Sequence, residues 1–95
     1  MIKRIVKMTF IPEKVADFIT VFNTTKNKIE QFEGCSQLEL LKVKDSKNIF
    51  FTYSYWTSAE ALENYRNSEL FKTTWSKTKP LFAEKAQAWS LEMVK

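Results

Sequence analysis

Few side chains in this sequence could act as nucleophiles, bases or metal ligands. The chain has one cysteine, Cys35, and no histidine. A cysteine nucleophile needs a neighbouring base, and a buried cysteine mostly behaves as a small apolar side chain. The lack of histidine excludes imidazole metal sites, Ser-His-Asp hydrolysis and haem bound through histidine. We therefore expect Cys35 to be a packing residue and expect no metal site.

The aromatic side chains are more informative, and many of them fall between residues 56 and 82. Thr57 is followed three residues later by Glu60, the spacing of a reciprocal helix cap. The spacing predicts a helix that begins at Thr57 or Ser58.

A second helix is predicted directly after the first. Asn67 and Ser68 are both residues that cap helix N-termini, and Phe71 and Trp75 then lie one above the other at helical spacing. Pro80 ends or kinks this pattern. An aromatic stripe of this kind most often belongs to a hydrophobic core.

The elements that must position these side chains are strands. β-branched and aromatic residues predict strands at residues 2–10, 35–44, 49–56 and 85–94, with a polar turn at 45–48 that makes a hairpin of the middle two. Between the first two strands, apolar residues at helical spacing mark a helix of about five turns that Gly34 closes. Its apolar face comprises Val15, Phe18, Ile19, Phe22, Ile29 and Phe32.

The order is strand, helix, strand, strand, helix, strand. It predicts an α+β, ferredoxin-like βαββαβ fold, in which the helices cover one face of a four-stranded antiparallel sheet. A chain of 95 residues has no room for two cores, and no linker or repeat interrupts it, so we expect a single domain over residues 1–95.

Charge and composition argue against nucleic-acid and membrane partners. The formal charge is +4, from 15 Lys and Arg against 11 Asp and Glu, and the lysines are scattered along the chain. The N-terminal apolar run is interrupted by Lys7 and Pro12, so we expect neither a signal peptide nor a membrane span. A lone cysteine fits a reducing compartment, and we expect a cytoplasmic protein.

RNA-recognition modules share this element order and stack bases on aromatics of the third strand. The segment 48–53 fits that motif poorly, because bulky or polar residues replace both of the motif's glycines. We do not expect RNA binding.

Both faces of the predicted sheet carry aromatic residues. In the third strand Phe51, Tyr53 and Tyr55 point one way, whereas Phe50 and Trp56 point the other. The helices cover only one face, and an uncovered apolar face is a large sticky patch. The simplest cover is a second copy of the chain, sheet against sheet.

Several segments make the chain resemble the antibiotic biosynthesis monooxygenase family of dimeric α/β barrels. These segments are Glu33-Gly34-Cys35, residues 55–62 (YWTSAEAL), residues 65–71 (YRNSELF) and Pro80-Leu81-Phe82. The resemblance covers nearly the whole chain. It specifies the fold better than the reaction, since relatives include quinol oxygenases, haem degraders and polyketide-tailoring enzymes.

The resemblance implies a homodimer formed through the sheet face, with one pocket per subunit between the sheet and its own helices. A small aromatic ligand is implied, bound without a cofactor. The candidate pocket walls are Phe22, Trp56, Tyr65, Phe71 and Trp75.

Haem degradation does not fit this chain. The haem-degrading branch uses a first-strand asparagine, a helix tryptophan and an iron-binding histidine. At the matching places this sequence has Val6, Tyr65 and Trp75.

Oxygenation without metal or flavin fits better, because an ionised phenol or hydroquinone can donate electrons to oxygen directly. The protein must then bind a flat ring, favour its phenolate and exclude water. Hydrogen-bond donors are offered by Tyr65, Trp75 and Trp56.

A positive charge would come from Arg4, Lys7 or Arg66, whichever points inward. Glu39 and Tyr53 are the base candidates, and nothing in the spacing selects a catalytic residue. The alternative is a non-catalytic protein of the same fold, either a small-molecule binder or a structural dimer.

Overall fold

A computed structural model of the chain describes residues 1–94, and it has the ferredoxin-like α+β fold that the sequence predicts. The strands are β1 (Ile2–Phe10), β2 (Cys35–Lys42), β3 (Ile49–Trp56) and β4 (Phe82–Glu92). The helices are α1 (Val15–Glu30), α2 (Ala59–Arg66) and α3 (Glu69–Thr78), with short 3₁₀ turns at Pro12–Lys14 and Lys79–Leu81. All strand pairs are antiparallel, in the order β2-β3-β1-β4.

Three strand boundaries differ from the sequence prediction: the end of β2, the start of β4, and the end of β4, which lies at Glu92 and not at residue 94. β2 ends at Lys42 because a turn begins there, in which Asp45 has a positive φ of 67°. β4 begins at Phe82, earlier than predicted, because the 3₁₀ turn after α3 already brings Phe82 opposite Phe10.

Serine hydroxyls define where the two short helices begin. The Ser58 hydroxyl accepts a hydrogen bond from the Ala61 amide at 3.1 Å, and the Ser68 hydroxyl accepts one from the Phe71 amide at 3.1 Å. Caps of this kind typically stabilise a helix by about 1 kcal/mol each. Of the two predicted starts of α2, Ser58 is therefore the cap.

The helices pack on one face of the sheet, and the core lies between them. Its buried residues are Met8, Phe10, Phe18, Phe22, Ile29, Leu38 and Phe50. Phe10 and Phe18 stack with ring centroids 4.1 Å apart. The core thus ties β1 to α1.

The other face of the sheet, here called the open face, is apolar as well. The strand register places together on it Ile5, Leu41, Phe51, Tyr53, Tyr55, Trp89 and Leu91. Trp89 and Leu91 are 46% and 45% exposed. No element among residues 1–94 covers this face.

Gly34 controls how closely α2 approaches the start of β2. Its φ is +91°, a conformation that favours glycine, and its carbonyl accepts a hydrogen bond from the Thr57 amide at 2.8 Å. A Cβ at this position would overlap the Cβ of Ala61 and lie 3.3 Å from Thr57 Oγ1. Only glycine permits this close contact.

We therefore expect Gly34→Ala to lower the free energy of unfolding by about 2 to 4 kcal/mol, the sum of backbone strain and steric overlap. Denaturant unfolding measures the change. Ala61→Gly should relieve the overlap in the Gly34→Ala background, which a double-mutant cycle would record as a coupling of about 1 kcal/mol or more. Strict additivity of the two substitutions would contradict this account.

Candidate functional site

A cavity of about 360 Å³ lies between the sheet and the helices. This volume is in the range of small-molecule sites, about 300 to 1,000 Å³. The sheet contributes Arg4, Val6, Met8, Leu38, Thr52, Ser54, Ala86 and Ala88 to its lining. The helices contribute Phe18, Val21, Phe22, Thr25, Ile29, Leu62, Tyr65, Arg66, Phe71, Thr74, Trp75 and Thr78.

The cavity exists because small side chains occupy the helix-facing side of three neighbouring strands. Val6 of β1 lies opposite Thr52 of β3 and Ala88 of β4. Ser54 and Ala86 extend this patch of small residues. The remaining sheet surface under the helices is filled by large side chains such as Phe10 and Phe50, so space is left only where the small residues lie.

Four of the five predicted wall residues line this cavity: Phe22, Tyr65, Phe71 and Trp75. The rings of Tyr65 and Phe71 are 5.3 Å apart, and those of Phe71 and Trp75 are 5.8 Å apart and nearly parallel. These three residues form an aromatic wall along α2 and α3.

Trp56, the fifth, lies behind that wall and does not line the cavity. It is fully buried, and its ring stacks on Tyr65 at 4.9 Å. Its indole N–H donates to the Ser54 hydroxyl oxygen at 2.9 Å, so this donor is already used. Ser54, which does line the cavity, keeps its own proton to donate.

Two of the three predicted cations line the cavity, Arg4 and Arg66. Arg4 Nη1 donates to Ser90 Oγ at 3.0 Å. Burial and the nearby charge of Arg66 lower the pKa of Arg4, while Glu63 opposes this shift. Lys7 pairs with Phe51 and therefore lies on the open face.

Neither predicted base lines the cavity. Glu39 pairs with Tyr53 across β2 and β3, and both residues lie on the open face, where Gln37 Nε2 donates to the Glu39 carboxylate. Burial, with a smaller contribution from the nearby Cys35, raises the pKa of Tyr65 to about 12. Tyr65 is therefore protonated at neutral pH, when it can donate a hydrogen bond but cannot act as a base.

Cys35 is half-buried, as expected of a packing residue, and does not line the cavity. Burial raises the pKa of its thiol, although a backbone hydrogen bond at Gln37 partly opposes the shift. The thiol is therefore the favoured form near neutral pH, and thiolate chemistry is disfavoured.

Sequence reasoning missed the small and hydroxyl-bearing part of the lining. Thr52 and Ser54 alternate with Phe50 and Trp56 on the buried side of β3, and this size contrast was the available signal for a hollow. Thr74 had no such signal. Its Oγ1 is buried without a hydrogen-bond partner among residues 1–94, which is an unusual state for a hydroxyl group.

The fold and the cavity together define a ferredoxin-like α+β protein with an aromatic-walled pocket under its helices. The profile of the family described as antibiotic biosynthesis monooxygenase (ABM) matches residues 1–76. The chain belongs to this family. No curated protein matches the sequence.

Solved structures of other proteins share the fold at low sequence identity. A putative antibiotic biosynthesis monooxygenase from Caulobacter crescentus CB15 is 22% identical, with a TM-score of 0.91 over 99% of this chain and 90% of that one. One from Nitrosomonas europaea is 14% identical, with a TM-score of 0.91 over 100% of both chains. A conserved protein from Methanosarcina mazei Go1 is 18% identical, with a TM-score of 0.90 over 95% of this chain and 89% of that one.

Residues 1–94 contain neither a metal-binding cluster nor a membrane-spanning helix. No group of three or more His, Cys, Asp and Glu side chains is arranged to hold a metal ion. None of the helices in that range has the length and apolarity needed to cross a membrane.

The raised pKa of Tyr65 predicts an alkaline loss of stability. The unfolded chain would ionise Tyr65 near pH 10, whereas the folded protein resists ionisation up to about pH 12. The contribution of protonated Tyr65 to the free energy of unfolding is therefore fully present below pH 10 and is lost as the pH rises through 12. Relative to Tyr65→Phe, the wild type should lose about 2 kcal/mol between pH 9 and 12, measured by denaturant unfolding. Parallel curves for the two proteins would refute the assignment.

Proposed function

We propose that this protein is a cofactor-independent monooxygenase of the antibiotic biosynthesis monooxygenase type. Its substrate is an electron-rich aromatic, such as a quinol, a phenol or a polyketide-like ring, bound in the cavity. The observation that carries the proposal is the composition of the lining: aromatic and aliphatic walls with Arg4 and Arg66 as the charged members among the described residues.

The proposed reaction draws its electrons from the substrate. The ionised ring donates electrons to O₂, and the partly reduced oxygen bonds to a ring carbon that carries one hydrogen in the anion. The peroxide takes up one proton from solvent, and that proton and the hydrogen of the ring carbon leave with one oxygen atom as water, while the other oxygen atom becomes a carbonyl. No external reductant is needed, because the substrate is oxidised by as many electrons as O₂ accepts.

The protein's part in this reaction is electrostatic and spatial. Arg4 and Arg66 favour the phenolate over the phenol, since fixed positive charges stabilise a nearby anion. The substrate proton passes to solvent, which suits a cavity whose described lining contains no carboxylate. Protonated Tyr65 supplies a hydrogen-bond donor, and Phe71 and Trp75 hold the flat ring.

A non-catalytic binding protein with the same cavity is the second candidate. The observation that favours it is that no described side chain in the lining acts as a base at neutral pH. Ionisation would then depend on the substrate's own acidity and on the two arginines.

We also propose that the chain forms one domain over residues 1–95, works in the cytoplasm and pairs through the open face. The half-exposed Trp89 and Leu91, beside Tyr53 and Tyr55, make an apolar surface that a second sheet would cover. Lys3 lies over the Tyr55 ring at 5.3 Å, a cation–π contact that would become stronger on burial.

Oxygen uptake with anthrones and hydroquinones tests the proposed activity. We expect saturable oxygen uptake by the wild type. The uptake rate should fall by about tenfold or more in the Tyr65→Phe, Trp75→Phe double variant, because the variant loses a hydrogen-bond donor and part of the aromatic surface of the wall. Tyr53→Phe is the matched control, since it removes the same hydroxyl from the opposite face of the sheet. Its rate should equal that of the wild type.

Two outcomes would count against the activity. Equal uptake by the wild type and the double variant would show that these side chains contribute nothing to the reaction. Saturable binding without any uptake would favour the non-catalytic candidate, because the cavity would then be occupied without turnover.

Sedimentation tests the proposed pairing. The wild type should sediment at about twice the chain mass of 11.2 kDa at micromolar concentration. Trp89→Glu places a charge on the open face and should shift the protein to monomer, whereas Thr73→Glu adds the same charge to an exposed position of α3 and should not. A wild type that is monomeric at this concentration would contradict the pairing.

A further inference from the structure

The charge of the cavity lining is concentrated in one pair of residues. Among the described residues that line it, Arg4 and Arg66 are charged and the others are neutral. A guanidinium group keeps its proton in proteins, so the lining carries two permanent positive charges. Glu63 is a carboxylate that acts on both of them, and it does not line the cavity.

The two arginines approach each other from opposite walls. Arg4 belongs to β1 in the sheet, and Arg66 is the last residue of α2. Their charges are close enough for Arg66 to disfavour the charged form of Arg4. The fold therefore holds two like charges together beside a hollow, an arrangement that an anion between them would stabilise.

Among residues 1–94, most of the hydrogen-bonding capacity of this pair has no partner. A guanidinium has five N–H donors, and Arg4 gives one bond to Ser90 at 3.0 Å. Arg66 lies 3.5 Å from Glu63, and their side chains are 45% and 59% exposed. Such a solvent-exposed ion pair is weak, so Arg66 can exchange Glu63 for a ligand anion.

Along β1, the cavity lining changes from charged at Arg4 to apolar at Met8. Met8 lies four residues beyond Arg4, about 13 Å further along an extended strand, and it faces Phe18 and Phe22 of α1 in the core. The cavity thus has a cationic end at Arg4 and an apolar end at Met8. A ligand that matches both ends has a flat apolar body and an anion at one end.

We propose that the cavity binds aromatic ligands that carry a carboxylate, with the carboxylate held between Arg4 and Arg66 and the ring directed toward Met8. The two oxygens of a carboxylate can accept hydrogen bonds from both guanidinium groups at once, which the single oxygen of a phenolate does less well. This proposal rests on the proposed function only in using the same cavity as the ligand site, and it specifies the substrate class further.

Binding of a matched ligand pair tests the proposal. The probes are 6-hydroxy-2-naphthoate and 2-naphthol, which share the ring and the hydroxyl and differ in the carboxylate. Calorimetric titration of the wild type should give an affinity about tenfold or more greater for the naphthoate, in keeping with charge-assisted hydrogen bonds to two arginines. The difference should shrink as salt is added.

Three variants separate the arginine pair from general charge. Arg4→Gln and Arg66→Gln should each abolish most of the preference for the naphthoate, because each should weaken naphthoate binding more than 2-naphthol binding. Lys72→Gln removes the same charge from an exposed position of α3 that does not line the cavity, and should change neither affinity. Glu63→Gln frees Arg66 and should strengthen naphthoate binding.

The outcomes distinguish this proposal from the proposed function. Equal affinity for the two probes, or arginine variants that weaken both equally, would overturn the carboxylate assignment while leaving the cavity as a ring-binding site. Failure of both probes to bind would overturn both proposals. Selective naphthoate binding without oxygen uptake by any bound ring would support the carboxylate assignment and count against the oxygenase.

Discussion

The register between β1 and its neighbours β3 and β4 is the constraint on which the rest of the molecule depends. Side chains alternate across a sheet, so the pairing of Val6 with Thr52 and Ala88 decides which residues meet the helices. A slip of one residue on β3 would turn Tyr53 inward and fill the hollow. The same slip would turn Ser54 and Trp56 together onto the open face and remove the fully buried indole of Trp56 from beneath the helices.

Aromatic contacts between the helices and the sheet stabilise the wall of the cavity. Ring contacts run without a break from Tyr65 through Phe71 and Trp75 to Phe82 and Phe10, with centroids 5.3 to 5.8 Å apart. Edge and stacked contacts of this kind add to the free energy that the buried area already supplies. The wall of the cavity is therefore continuous with the core, which explains how a chain of 95 residues keeps an internal space open.

The sequence specified the fold well because the relevant signals are local. The strands Ile2–Phe10 and Ile49–Trp56 and the cap at Ser68 follow from alternation and hydroxyl placement within a few residues. The start of β4 at Phe82 does not, because its pairing with Phe10 joins segments far apart in the chain. Long-range pairing of this kind overrides the helical pattern that precedes it.

The site was predictable only in part, for the same reason. The family resemblance implied Tyr65, Phe71 and Trp75 as wall residues, and all three line the cavity. Whether Trp56 faces the hollow or the space behind it depends on how closely α2 approaches, which Gly34 controls through a contact across the fold. Arg4 and Lys7 were both candidates for the positive charge in the cavity. Residues three apart in a strand face opposite sides of the sheet, so of these two Arg4 faces the helices and Lys7 faces away from them.

The alanines of β4 give the cavity one adjustable boundary. The family profile ends at residue 76, so Ala86 and Ala88 lie on a strand beyond the matched segment. β4 is also the outermost strand beside β1, bonded to one neighbour only. Replacing Ala86 or Ala88 with a residue that has a branched side chain would reduce the cavity volume without disturbing α2 or its aromatic residues. Different side chains at these two positions in related proteins would therefore change the size of the ligand that fits, while the fold stays intact.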